Sequence, residues 1–301
     1  MKHSTEFRES ISKGAIVAPG AHSPLVAKII QFCGFEAVYM TGFGTSVSML
    51  GLPDVGLISS EEMIRNARNI VDIVNIPVIA DADTGYGNAI NVRRTIKGFI
   101  RSGVAGVHLE DQEFPKRCGH VAGKRVISMK EMVGKIAAAI DVRDEEDEDF
   151  YIIARTDSKT VLGMTEAIER GKEYYNEGAD MLFFDGITSL QEAETIAKEI
   201  DAPLLYNVAG MAPLVPISKI AQMGYRLIIF PTSALRVSIQ SVLTLMKALK
   251  KTGPRILEDM DVMKSEDLYS LVGFPEIRKL EEKYLPKEEI AKKYLTEGWQ
   301  P

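Results

Sequence analysis

Cysteine is nearly absent: in a chain of 301 residues only Cys33 and Cys118 carry a thiol. Two thiols cannot staple a chain of this length, so a disulfide framework is excluded and a reducing, cytoplasmic setting is expected. A positive surplus is missing too, with 36 Lys and Arg against 42 Asp and Glu, a net charge of −6. No basic cluster of the kind nucleic acid demands stands out. An anionic small molecule would therefore be held by local cations or a metal, not steered by a global field. No window approaches ~20 apolar residues, so no membrane span is expected. The opening M-K-H-S-T-E-F-R-E-S-I lacks the apolar run of a secretory leader. Internal repeats and low-complexity linkers are also missing.

Short apolar runs are plentiful, in a chain that is 46% hydrophobic and 26% charged. Strands are expected at Ala15–Ala18, Ala37–Thr41, Pro77–Ala80, Gly106–Leu109, Tyr151–Ala154, Met181–Phe184, Pro203–Tyr206 and Leu227–Phe230. Amphipathic helical patterns lie between them, at Ser60–Val74, Asn91–Ser102, Ser128–Val142, Thr165–Asn176 and Leu190–Ile200. Entries such as Ser59-Ser60-Glu61-Glu62 carry helix-cap chemistry. The strands are continuously apolar, as buried parallel strands should be. Eight βα units over about 240 residues predict an α/β protein with a (β/α)₈ barrel. A doubly wound open sheet is the rival. The barrel is expected to fill residues 1–253, and 254–301 to form a C-terminal helical arm. Leu271, Phe274, Leu280, Tyr284 and Leu285 give that arm an apolar face suited to a neighbouring subunit. The acidic run Asp144–Asp149 reads as a solvated loop, and Cys33, in an apolar helix Leu25–Phe35, as a core residue.

Barrel chemistry sits at the C-terminal ends of the strands. Those ends carry Thr41-Gly42, Asp81-Ala82-Asp83, Glu110-Asp111, Arg155-Thr156-Asp157, Asp185, Asn207 and Pro231-Thr232-Ser233. A rim so rich in carboxylates needs a cation. Asp81 and Asp83, two apart on one strand, face the same way. With Glu110 they form an oxygen donor set for Mg²⁺, or Mn²⁺, and no Cys/His cluster argues for zinc. Arg155 offers a planar fork for a substrate carboxylate, against a rim ion pair as the plainer reading. Asn207 can donate to and accept from a substrate oxygen. The loop K-R-C-G-H at 116–120 sets Cys118 beside Lys116, Arg117 and His120. Cations and an imidazole would lower a thiol toward neutrality, where it can exchange protons. A solvated loop His is the plainer reading of His120, and His108 reads as a satisfied core or rim residue.

These segments together resemble the isocitrate lyase/phosphoenolpyruvate mutase superfamily. The resemblance rests on L-E-D-Q followed by K-R-C-G-H, D-A-D-T-G-Y-G-N at 81–88, G-L-P-D at 51–54, A-R-T-D at 154–157 and P-T-S-A at 231–234. It implies a barrel whose last helix is swapped with a neighbour in a homotetramer, with Mg²⁺ at the mouth. It implies Asp81 as direct metal ligand, with Asp83 and Glu110 acting through water. Thr41, Gly42 and Phe43 resemble the site for an α-keto acid, Asp54 an active-site aspartate, and Arg155 the carboxylate clamp. Asn207, Asp185 and Gly119 complete the substrate contacts. Cys118, with His120, corresponds to the acid/base of the carbon–carbon lyases, on a mobile loop over 113–126. The activity implied is cleavage of a branched 2-hydroxy acid, 2-methylisocitrate to pyruvate and succinate first. A 2-alkylmalate lyase or an oxaloacetate decarboxylase stands second, and a non-catalytic barrel is the remote alternative. Two departures bear on substrate: Asp185 stands where these lyases usually carry Glu, and V-A-G-M-A-P-L after Asn207 lacks their glutamate.

Overall fold

The computed structural model describes residues 2–119 and 123–294. Eight parallel strands close into a barrel in sequence order. They are β1 (Ile16–Ala21), β2 (Val38–Met40), β3 (Val78–Asp81), β4 (Gly106–Glu110), β5 (Tyr151–Thr156), β6 (Met181–Phe184), β7 (Leu204–Asn207) and β8 (Tyr225–Phe230). The rival open sheet is thereby excluded. Helices connect the strands, and Ser59 and Glu62 cap the helix Ser60–Val71 reciprocally. Among the described residues no helix is long and apolar enough to cross a membrane.

Side-chain alternation along each strand divides the core in two. Residues pointing outward, such as Val38, Met40, Val78, Ala80, Val107 and Ile152, pack against the helices. Those pointing inward, including Tyr39, Ile79, Ile153, Phe183, Leu205 and Ile229, fill the barrel. Phe7 and Ile11 of the first helix, His3–Lys13, join that inner cluster and are buried. Removing the Phe7 ring would cost about 3–5 kcal/mol, the usual loss for a buried aromatic cut to Ala. Gly106 is dictated by crowding, since a Cβ there would lie 2.4 Å from the Tyr151 carbonyl oxygen on β5.

The inward parity carries on past the apolar layers. Tyr39 leads to Thr41, Ile79 to Asp81 and Asp83, His108 to Glu110, and Ile153 to Arg155 and Asp157. Phe183 leads to Asp185 and Leu205 to Asn207. The period of two that builds the core thus aims the polar residues at the barrel mouth.

Two expectations are corrected. The acidic run at 144–149 is no free loop, because the helix Met129–Glu146 runs through its first half. Its acids are also paired: Glu145 with Arg93, Glu146 with Lys97 and Arg101, Asp147 with Lys2, and Asp149 with Arg8. Cys33 is exposed rather than core, because the helix Pro24–Phe32 ends one residue earlier and leaves Cys33 as its C-cap.

The chain divides into two compact units, residues 1–237 and 238–301, and the division falls inside the helix Ser233–Thr252. The second unit is helical, with Ser265–Val272, Phe274–Tyr284 and Lys287–Tyr294 as its later segments. Phe274, Ile277, Leu280 and Tyr284 are exposed, whereas Leu271 and Leu285 are half-buried.

Candidate active site

A cavity of about 480 Å³ opens at the C-terminal end of the barrel. Thr41, Phe43, Asp54, Asp81, Cys118, Gly119, Arg155, Asp185 and Asn207 all line it. Gly42, Asp83 and Glu110 stand directly behind that lining. The backbone N–H of Gly42 donates to Asp81 Oδ2 at 3.1 Å, and that of Asp83 to Asp81 Oδ1 at 2.9 Å. A Cβ on Gly42 would lie 2.4 Å from the same Oδ2, so glycine is required where this backbone meets the carboxylate. Burial alone would lift Asp81, but His108, Lys116 and Arg155 outweigh it and hold the carboxyl below its ordinary value.

The loop after β3 is strained around its second carboxylate. Asp83 and Tyr86 have φ of 48° and 59°, values non-glycine residues seldom adopt. Tyr86 donates its hydroxyl to Asp83 Oδ2 at 3.0 Å, and Lys135, itself buried, donates to the Thr84 carbonyl at 3.0 Å. Lys116 then inserts between two acids, its Nζ 2.6 Å from Asp54 Oδ1 and 2.8 Å from Asp83 Oδ1. Two carboxylates thus neutralise the ammonium, partners that its place beside the thiol in sequence did not indicate. Burial pushes the Asp54 carboxyl up to about 6, against the opposing pull of Lys116.

Arg155 organises the opposite edge. Its Nε and Nη2 donate to the two oxygens of Asp157 at 2.8 and 3.1 Å, and its Nη1 lies 3.2 Å from Glu110 Oε2. Its Nη2 also lies 3.5 Å from Asp185 Oδ2, so the guanidinium that lines the cavity sits inside a ring of three carboxylates. Burial drives Glu110 well above the ordinary carboxyl range, although Arg155 opposes it. Asp185 receives Asn207 Nδ2 at 3.3 Å, while Asp185 Oδ2 and Asn207 Oδ1, both buried, accept no hydrogen bond.

The thiol loop is pinned at both ends. Gln112 bridges to Val126, and its side chain holds the Arg117 backbone through N–H and C=O at 3.0 and 2.9 Å. The Cys118 N–H donates to the Asp54 carbonyl at 3.1 Å, which places a half-buried thiol at the cavity wall. His120 lies outside the described residues.

A hard divalent cation can be tested against these donors. Among the described residues no three His, Cys, Asp or Glu side chains gather closely enough to cage a metal. Mg²⁺ needs no cage, since it usually keeps several waters and binds through one or two carboxylates plus substrate oxygens. The buried Glu110 Oε1 accepts no hydrogen bond, and the side chains of Asp81, Asp83 and Glu110 all offer oxygen. The residues fit a water-rich site of that kind.

Comparison with known proteins adds a second line. The family profile described as phosphoenolpyruvate phosphomutase matches residues 7–250. The chain belongs to the phosphoenolpyruvate mutase/isocitrate lyase superfamily. It is 42% identical over 289 residues to the 2,3-dimethylmalate lyase of Eubacterium barkeri, covering 94% of this chain and 99% of that one. It is 38% identical to the 2-methylisocitrate lyase of Aeropyrum pernix, covering 91% and 88%. A crystal structure of a 2,3-dimethylmalate lyase superposes with a TM-score of 0.91 at 36% identity, covering 100% and 99%. A phosphonopyruvate hydrolase solved with oxalate and Mg²⁺ superposes at 0.87 and 29%, covering 95% and 100%. The enzyme's lyase relatives cleave carbon–carbon bonds.

Several residues of this superfamily member escape sequence reasoning. Lys124, whose side chain is 4% exposed, donates from Nζ to the Gly119 carbonyl at 2.7 Å and to Asp157 Oδ1 at 2.9 Å, its acid lying 33 positions away. Tyr39 places its hydroxyl 2.7 Å from His108 Nε2, beside Asp81. Charge counting is the one signal that could have found the lysines, because so many rim carboxylates require more cations than Arg155. A second cavity of about 370 Å³ adjoins the first, sharing Gly119, Asn207 and Gly210. Val161, Ile187, Ala209 and Met211 give it apolar walls.

Proposed function

We propose that the enzyme cleaves the carbon–carbon bond of a branched 2-hydroxy di- or tricarboxylate, releasing an α-keto acid and a carboxylic acid. 2-Methylisocitrate, giving pyruvate and succinate, is the first candidate. The observation that carries this reading is the meeting of Cys118, Asp54, Asp81 and Arg155 around one cavity. Asp81, Asp83 and Glu110 are the residues that would hold Mg²⁺, which when bound supplies positive charge to the hydroxy acid and the forming keto acid. Arg155, which lines the cavity, takes a substrate carboxylate. Asp54, lifted to about 6 by burial, is suited to accept the 2-hydroxyl proton. As that proton leaves, the O–C2 electrons form the keto group and the C2–C3 pair passes to the departing fragment as an aci-carboxylate. Cys118 delivers the proton that fragment needs. The loop over 113–126 shuts water out while this happens.

A 2-alkylmalate is the second reading, favoured by the apolar second cavity and by the dimethylmalate lyase relative. The exposed Phe274, Ile277, Leu280 and Tyr284 support a homo-oligomer, a tetramer of exchanged arms, with the 254–301 segment as the exchanged part. The test is keto-acid release from methylisocitrate, isocitrate, dimethylmalate and oxaloacetate, each with Mg²⁺ and then with EDTA. Release from a 2-hydroxy acid in Mg²⁺ alone supports the reading. Release from none of them would overturn it.

A further inference from the structure

Lys124 sits six residues past the thiol, is almost wholly buried, and reaches none of its partners through its own strand or helix. Its ammonium donates to the Gly119 carbonyl at 2.7 Å, beside Cys118 in the chain, and to Asp157 Oδ1 at 2.9 Å, past the end of β5. Asp185 Oδ2 on the β6 edge lies 3.6 Å away. Asp157 in turn holds Arg155 at two nitrogens, and Arg155 reaches Glu110. One ammonium therefore joins the thiol loop to the guanidinium–carboxylate chain that spans the mouth. A second observation concerns closeness: a Cβ on Gly119 would lie 2.2 Å from Asp185 Oδ2 and 2.8 Å from Arg155 Nη2. The loop backbone is thus pressed onto the rim where Lys124 fastens it, and the fastening is charge-assisted at both ends.

We propose that Lys124 is a positioning residue that latches the Cys118 loop to Asp157 and so sets the thiol against the cavity. The latch acts through the Gly119 carbonyl, without touching substrate, and it rests on the reading of Cys118 as the proton donor. An ammonium that instead bound a substrate carboxylate would act on KM and leave the resting loop where it is.

The test uses the full-length enzyme carrying Cys33→Ser, so that Cys118 is the single thiol. Iodoacetamide alkylation of Cys118 is followed without metal or substrate, alongside kcat and KM in Mg²⁺. Lys124→Met should speed alkylation by about tenfold or more, the equilibrium worth of one charge-assisted hydrogen bond. It should lower kcat by a similar factor and leave KM within about threefold. If that variant shows no cooperative melt, Lys124→Gln, neutral but able to donate, is read in the same way. An alkylation rate within twofold of the parent's overturns the latch, as does a loss confined to KM. Near-native turnover in Cys118→Ser removes the thiol's role instead, and the alkylation result still decides the latch.

Discussion

The two sides of the barrel mouth are built by different rules. On the β3–β4 side Asp81 and Asp83 are met at short range. Asp81 receives two backbone N–H groups, Asp83 is held by Tyr86 and Lys116, and Lys135 secures the loop beneath. On the β6–β7 side the second cavity has small and apolar walls, Asp185 Oδ2 meets Lys124 and Arg155 at the longer distances of 3.6 and 3.5 Å, and Met211 is 77% exposed. Rigid preorganisation belongs where charge must be met without reorganisation. A loosely furnished wall belongs where substrates differ. The proposed function accordingly sets chemistry and selectivity at opposite edges of the cavity.

Removing the divalent ion should break the first edge outright. Keto-acid release should fall to background in EDTA and return with Mg²⁺, and activity persisting in EDTA would contradict the role given to Asp81, Asp83 and Glu110. Arg170→Met should be the costliest change to stability. Arg170 donates to Asp111 Oδ2 at 3.0 Å and to the Ile127 carbonyl at 2.9 Å beneath the rim. Asp111, wholly buried, also receives Thr156, Tyr174 and the Asp157 N–H. Stranding part of that charge should cost about 3–5 kcal/mol, read in a denaturant melt.

Much of this division was legible in the sequence. The apolar runs locate all eight strands, and their C-terminal ends, with Asp81 and Asp83 two apart, point to the charged rim before any side chain is seen. What escaped depends on distant partners. Lys116 looks like a neighbour of the thiol until the fold brings Asp54 and Asp83 to it. Lys124 looks like a loop lysine until β5 and β6 supply Asp157 and Asp185. Cys33 was misjudged because the apolar pattern of 25–35 marks a helix without marking its end. The acidic run was misjudged because its cations, Lys2, Arg8 and Arg93 among them, lie far away in sequence.

Smaller effects should sharpen the second edge. Ala209→Phe would fill part of the second cavity, and should shift the kcat/KM ratio between methylisocitrate and dimethylmalate by about tenfold. Equal loss for both substrates would show that the β7 loop does not select. Cys33→Ser, at an exposed helix end, should change stability by no more than about 0.5 kcal/mol and leave turnover intact.

The central claim is that the loop thiol supplies the proton, and single-turnover kinetics of Cys118→Ser tests it most directly. Keto-acid release in Mg²⁺ should slow by at least about 100-fold, within the range set by positioned proton donors. The melting curve and Mg²⁺ affinity should stay those of the parent. A Cys118→Ser enzyme that turns over at near-parental rate would contradict the account.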